Sequence, residues 1–250
     1  MAANEDDGDD GSTFELRSYG RKRGRKSSLR QQALLADVLP RIALDLKQPA
    51  VIGDRDLWLE IGFGGGEHLI WQAERNAEVG LIGCEPFTDG VVKVLDAIEA
   101  RKLGNISIHA DDARDVLRWL PAASIARAFI LFPDPWPKKR HVKRRLVNRS
   151  TLAELARVMR PGAELRITTD IGDYARTMLI ALGATPQFQW TARSTADWRT
   201  RPPDWPPTRY EAKAGREGRR CVYLRFTRIG PLAISETPRD CARRPDPCPT

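Results

Sequence analysis

No apolar run in this 250-residue chain approaches the length of a bilayer span. The first residues, MAANEDDGDDG, are acidic and polar and lack the apolar stretch that a secretion signal needs. The expectation is a cytoplasmic protein with no membrane association. Cysteine is scarce. The four, Cys84, Cys221, Cys241 and Cys248, fit no zinc-ligand spacing, so no metal site is expected. A disulfide framework is equally excluded for a cytoplasmic chain. Cys84 and Cys221 sit in apolar stretches and read as small buried hydrophobes, whereas the other two fall in a tail rich in Pro and Arg. Internal repeats are missing as well, which excludes an array of repeated units.

What is present describes a globular chain with enough residues for one substantial core, 41% hydrophobic and 30% charged. The formal charge of +8 is unevenly spread. An acidic tip is followed by Arg17, Arg21, Lys22, Arg23, Arg25, Lys26 and Arg30, and a second basic run holds Lys138, Lys139, Arg140, Lys143, Arg144, Arg145 and Arg149. Such clusters suit a polyanion, nucleic acid first, and the alternative is a solvated charged face. Residues 1–30 are therefore expected to form an acidic tip and a flexible basic arm, 31–229 a single domain, and 230–250 a flexible tail without periodicity.

From residue 57 onward the chain alternates strand and helix. Strands are predicted at 57–61, 80–84, 106–109, 126–132, 164–168, 188–192 and 222–227. Helices are predicted at 30–46, 67–76, 89–101, around 116–120, at 147–159 and at 174–182, with Pro161-Gly162 ending the fifth. Repeated βα units imply an α/β fold, a mostly parallel seven-stranded sheet of Rossmann type with helices on both faces. Ligands of such sheets bind beyond the carboxyl ends of the strands.

The first of those ends reads Glu60-Ile61-Gly62-Phe63-Gly64-Gly65-Gly66-Glu67. A dinucleotide fingerprint would need glycine where Glu67 stands, and a carboxylate at a helix start repels a pyrophosphate, so a nicotinamide dehydrogenase is disfavoured. The run Glu-x-Gly-x-Gly-x-Gly resembles the first motif of class I S-adenosylmethionine-dependent methyltransferases, whose donor is cationic and carries no phosphate. Glu60 suits that charge, with Gly62 and Gly64 giving close backbone approach. Glu85 ends the second strand, where an acid can accept from ribose hydroxyls. Asp111 and Asp112 end the third, and Asp112, which precedes Ala113, is the favoured acceptor for an adenine amino group. The competing account is that these acids merely cap the helices that follow.

The fourth strand runs into FPDPWPKKRHVKRR, residues 132–145. Prolines on both sides of Asp134 brace its backbone, as a group beside a reaction centre requires. With the arm SYGRKRGRK, the strand end Thr168-Thr169-Asp170 and the segment Thr208-Arg209-Tyr210-Glu211, this stretch resembles the bacterial tRNA guanine-N7 methyltransferases over residues 18–226, with no departure at a motif position. The resemblance implies S-adenosylmethionine held by Glu60, Gly62, Gly64, Glu85, Asp112 and Asp134, with Asp134 catalytic. It implies a guanosine of the tRNA variable loop held by Lys138, Asp170, Thr208, Arg209, Tyr210 and Glu211. It implies RNA contact by Arg140, His141, Val142, Lys143, Arg144 and Arg145. The Pro-Trp form of the motif is similar to that of stand-alone bacterial members, so no obligatory protein partner is expected and the chain is a monomer or homodimer.

The chemistry agrees with that assignment. Guanine N7 has an in-plane lone pair and no proton, so attack on a sulfonium methyl needs alignment and a nearby anion but no general base. Asp170 and Glu211 are acceptors of the type that guanine N1–H and its amino group require, unless they are spent on Arg209 or Arg201. Trp136, Trp205 and Tyr210 are either stacking partners for an extruded base or packing residues. Two rivals remain: a methyltransferase for another substrate, which leaves both basic runs idle, and a non-catalytic RNA-binding protein of the same fold.

Overall fold

The computed structural model describes residues 28–230. The acidic tip, the basic arm as far as Lys26, and the tail with Cys241 and Cys248 lie outside the described residues. Seven strands form one sheet: β1 (Leu57–Ile61), β2 (Gly80–Cys84), β3 (Ile106–His109), β4 (Ile125–Leu131), β5 (Met159–Thr169), β6 (Phe188–Trp190) and β7 (Val222–Arg228). Their order is β3-β2-β1-β4-β5-β7-β6, parallel except that β7 runs against both β5 and β6. The central strands are apolar on both faces because both are covered.

One face carries α3 (Glu67–Arg75), α4 (Thr88–Arg101) and the N-terminal helical segment, packed on Trp58, Leu81, Ile106, Ile108 and Phe129. The other carries α5 (Ala113–Trp119), α6 (Arg149–Val158) and α7 (Gly172–Gly183), packed on Leu59, Ile61, Ile82, Ala128, Ile130, Leu165 and Ile167. Alternate residues of β1, β2 and β4 thus feed separate cores, which holds the centre of the sheet rigid between them. β1 stands between β2 and β4, so the chain leaves it toward both sides and opens a crevice above its carboxyl end.

Two predicted helices and the strand after the second depart most from the observed elements. The expected helix 30–46 stops at Ile42 and consists of α1 (Leu29–Ala33), a wide π turn over Leu34–Val38 and α2 (Leu39–Ile42). Pro40 offers no amide hydrogen to continue the ladder, and the bonding pattern widens ahead of it. The expected helix 147–159 ends at Val158, where Met159 already adopts extended backbone and begins β5. Pro161-Gly162 therefore lies inside β5, where the register against β4 shifts between Met159 and Glu164. Two short helices, α8 (Ala196–Arg199) and α9 (Arg209–Arg216), and a 3-10 turn at Lys139–Arg144 complete the fold.

Candidate active site

The turn after β1 curls over the carboxyl ends of β1 and β2. Gly62 donates its amide to Cys84 O at 2.8 Å, and Gly64, at φ +56°, donates to Glu85 Oε2 at 2.7 Å. A side chain on Gly64 would press on the Tyr210 hydroxyl, and one on Gly90 of α4 would lie 2.1 Å from Gly64 O. Glycine at 90 thus lets α4 dock directly on the loop. Glu85 is buried, and its other oxygen accepts from the Phe87 amide at 2.9 Å. Burial raises its carboxyl above the ordinary glutamate value even against these two hydrogen bonds.

Gly62, Gly64, Glu85, Asp111, Asp112 and Asp134 line one pocket of about 430 Å³. Asp112 caps α5, and its carboxylate also holds the Arg114 guanidinium at 2.9 and 2.7 Å. Capping and pocket lining are compatible, because a carboxylate has about four acceptor sites on its two oxygens. Cys84 also lines the pocket, buried as expected, and its thiol is pushed far up by loss of hydration. Cys221 is only half-buried, a correction to its predicted place in the core, and its thiol is raised to about 11, by burial first and then by Glu211 and Asp170.

The far wall of the pocket is the proline loop. Phe132 leaves β4 at φ +51° and Trp136 sits at φ +42°, so two bulky residues on either side of Asp134 occupy the left-handed region. Such strain persists only where neighbours enforce it. Phe132 donates its amide to Thr168 O at 2.7 Å, and buried Arg145 donates Nε to Pro135 O at 2.8 Å. Asp134 is exposed toward the pocket and accepts no hydrogen bond from the described residues. The surrounding walls thin its hydration and raise its carboxyl above the usual aspartate value.

The rim is closed by the first turn of α9, which Thr208 caps by accepting the Glu211 amide at 3.2 Å. Tyr210 stacks on Phe132 with centroids 5.8 Å apart, and Arg209 reaches across the glycine turn to Glu67 at 3.5 Å. Both line the pocket, as do Trp136 and Arg144, whose guanidinium lies 5.1 Å above the Trp136 ring. Of the three aromatics singled out in the sequence, Trp205 is buried as packing, under Arg166 and edge-on to Tyr223, whereas Trp136 and Tyr210 border the pocket.

Other expected site residues stand elsewhere. Glu60 is buried behind the turn, its Oε2 2.7 Å from His68 Nδ1, and is not among the pocket-lining residues. His68 in turn meets Gln72 Nε2 at 3.1 Å, and Gln72 donates to Asp204 O at 3.2 Å, so this network ties the glycine turn to the segment leading into α9. Asp170 accepts Arg219 Nε at 2.7 Å on Oδ2, and Glu211 accepts Arg201 Nε at 3.1 Å and the Tyr223 hydroxyl at 2.7 Å on Oε1. The second oxygen of each accepts no hydrogen bond from the described residues. Both carboxylates lie near enough to Cys221 to raise its thiol.

Lys138, Lys139, Arg140, Val142 and Lys143 are exposed, and His141 packs edge-on against Trp136. Lost hydration and the charges of Arg144, Arg140 and Lys138 lower the His141 value. Arg145 corrects the sequence expectation. It is 3% exposed and reaches Pro135, Thr177 and Asp173, so its guanidinium faces the protein and braces the proline loop from beneath. The signal in the sequence is weak, since a buried arginine at the end of a basic run looks like its exposed neighbours. Among the described residues no cluster of His, Cys, Asp or Glu could hold a metal, and no helix is long and apolar enough to cross a membrane.

A family model described as "Putative methyltransferase" matches residues 54–224. The tRNA (guanine-N(7)-)-methyltransferase of Nitrobacter hamburgensis is 47% identical over 218 residues, spanning 84% of this chain and 86% of that protein. The tRNA (guanine-N(7)-)-methyltransferase of Chelativorans sp. is 45% identical over 219 residues, spanning 84% of this chain and 94% of the relative. Among solved structures, the 16S rRNA methyltransferase KamB superposes with a TM-score of 0.50 at 15% identity, over 70% of this chain and 88% of that one, a likeness of fold alone.

Proposed function

From the premise that this chain belongs to the tRNA (guanine-N(7)-)-methyltransferase family, we propose that its target is the guanosine of the tRNA variable loop. The reaction moves a methyl group from S-adenosylmethionine to N7 of a tRNA guanine. One observation carries the reading of the site: a single pocket joins a glycine turn, acids from the ends of two neighbouring parallel strands, and the braced Asp134.

The residues fit the donor. The pocket volume lies in the range that small-molecule sites fill. Glu85 spends one acceptor site per oxygen on backbone amides and keeps the others for a ribose diol. Asp112, beside Asp111, would take the adenine amino group, and Gly62 and Gly64 keep the wall free of side chains. Three arginines share the pocket with four carboxylates, but Arg114 is held by Asp112 and Arg209 by Glu67, which leaves the carboxylates of Glu85 and Asp134 to meet a cationic donor. Bound S-adenosylmethionine supplies a methyl made electrophilic by a positive sulfur. Asp134, which accepts no hydrogen bond from the described residues, would set a carboxylate where positive charge shifts toward the purine. The free oxygens of Asp170 and Glu211 would accept from the guanine edge, with Thr208, Arg209, Tyr210 and Lys138 around the nucleotide. Glu60 would act from behind the turn, through His68. Exposed Arg140 and Lys143, with Arg144 at the rim, would hold phosphates, and His141 and Val142 present the turn that carries them.

We place the enzyme in the cytoplasm, where it works without an obligatory protein partner, as a monomer or homodimer. Incubation with labelled cofactor and unmodified tRNA, followed by nucleoside analysis, should yield 7-methylguanosine. Replacing the variable-loop guanosine should remove it, and undiminished label on that replaced tRNA would overturn the position assigned.

A further inference from the structure

α9 enters the pocket with Arg209 and Tyr210 and then runs away from it. Its inner side is Glu211, held by Arg201 and Tyr223, and Ala214, which is fully buried. Its outer side is Arg209, Ala212, Lys213 and Arg216, all exposed. Spacings of four and seven residues put the three cations in one stripe of the helix, roughly 10 Å long at 1.5 Å per residue. Ala212 and Gly215 add no bulk beside it.

Of the acids near this stripe, Glu67 pairs with Arg209, Glu217 pairs with Arg219, and Glu211 is held through one oxygen by Arg201 and Tyr223. Lys213 and Arg216 make no hydrogen bond or ion pair with the described residues, and Arg220, just past the helix, makes none either. A helix C-terminus favours a cation in its last turn. That preference gives no reason for the stripe to begin at the pocket wall, or for Glu211 to turn away from it. The 3-10 turn Lys139–Arg144 reaches the same pocket through Arg144. Two cationic segments, the 3-10 turn and α9, thus each reach the pocket through an arginine.

We propose that the outer face of α9, Lys213 and Arg216 extended by Arg220, is a second phosphate-binding surface that holds the RNA backbone beside the target nucleotide, in addition to the 3-10 turn. This rests on the reading of the chain as a tRNA methyltransferase. The occupant is a polyanionic backbone, because rows of unpaired cations on a bare helix face offer charge and no shape for a small ligand. Contacts of this kind position the strand and carry no sequence preference.

The test is tRNA binding by the full chain carrying Lys213→Ala and Arg216→Ala together, measured over a series of salt concentrations. Affinity should fall about tenfold at low salt, and the log–log salt dependence should become shallower by roughly 1.5, near the value for two lost phosphate contacts. Cofactor affinity by calorimetry and turnover at saturating tRNA should match the parent, since neither residue touches the pocket. An unchanged salt slope overturns the proposal, whether or not affinity drops, because a fold defect would weaken binding without removing two counterion releases. The two readings fail separately: a parent enzyme that makes no 7-methylguanosine in tRNA sinks the functional assignment, whereas an active parent with an unaltered slope in the variant sinks only the α9 surface.

Discussion

At the residue scale the site turns on two carboxylates held in different ways. Glu85 is tied by two backbone amides, and Asp134 is tied by none of the described residues. Burial raises both above ordinary carboxylate values. A raised acid is ionised only above its raised value, so function that needs the anion is present at higher pH and lost as pH falls through that value. The loss should therefore begin at a higher pH than a surface carboxylate would give. The two groups separate kinetically: turnover at saturating cofactor should report Asp134, and the cofactor KM should report Glu85. Asp134→Asn is expected to lower turnover by about 100-fold or more and to flatten the acid limb of kcat, with tRNA affinity kept. A variant turning over like the parent would remove Asp134 from the reaction.

At the element scale the proline loop and the glycine turn are shaped by neighbours that do no chemistry themselves. Arg145 holds the carbonyl of Pro135 from below and spreads its remaining donors over Thr177 and Asp173. A lysine offers one nitrogen where Arg145 uses three, so it cannot span these separated acceptors. Arg145→Lys should cost about 2 kcal/mol in denaturant unfolding, by loss of two hydrogen bonds at about 1 kcal/mol each. It should lower turnover and leave the salt dependence of tRNA binding unchanged. A shallower salt slope in that variant would restore Arg145 to the RNA surface. Gly90→Ala sets a methyl 2.1 Å from Gly64 O and must push α4 off the glycine turn. The expected result is destabilisation of about 1–3 kcal/mol together with weaker cofactor binding, and calorimetry giving parent affinity would contradict the close docking.

At the scale of the whole molecule, the charge of +8 and the enclosed pocket assign the two substrates to different physics. Binding of tRNA should weaken steeply and linearly on a log–log plot of affinity against salt, because counterions leave the RNA. Cofactor binding inside the pocket should change little over the same range, since partly buried charges are weakly screened. Parallel titrations of both ligands at several salt concentrations check this, and equal salt dependence would count against the division.

The local patterns that need no partner were written in the chain. β1, β2 and β3 match their predicted bounds because a short apolar run between turn residues has one stable fate in a covered parallel sheet. The glycine turn, Glu85, Asp112 and Asp134 were legible because each follows a strand end, and the sheet gathers strand ends into one crevice. Tertiary structure alone decided which charged groups face solvent. Glu60 turned to His68, Arg145 turned to Pro135, and Asp170 and Glu211 each took an arginine on one oxygen. It also made α9 a helix at the rim, since a segment of eight residues is too short to be stable alone and holds only where Thr208 caps it and Ala214 packs beneath. Periodicity reports the face that a residue occupies, but a charged side chain settles on the partner that folding brings near it, and that partner is distant in sequence.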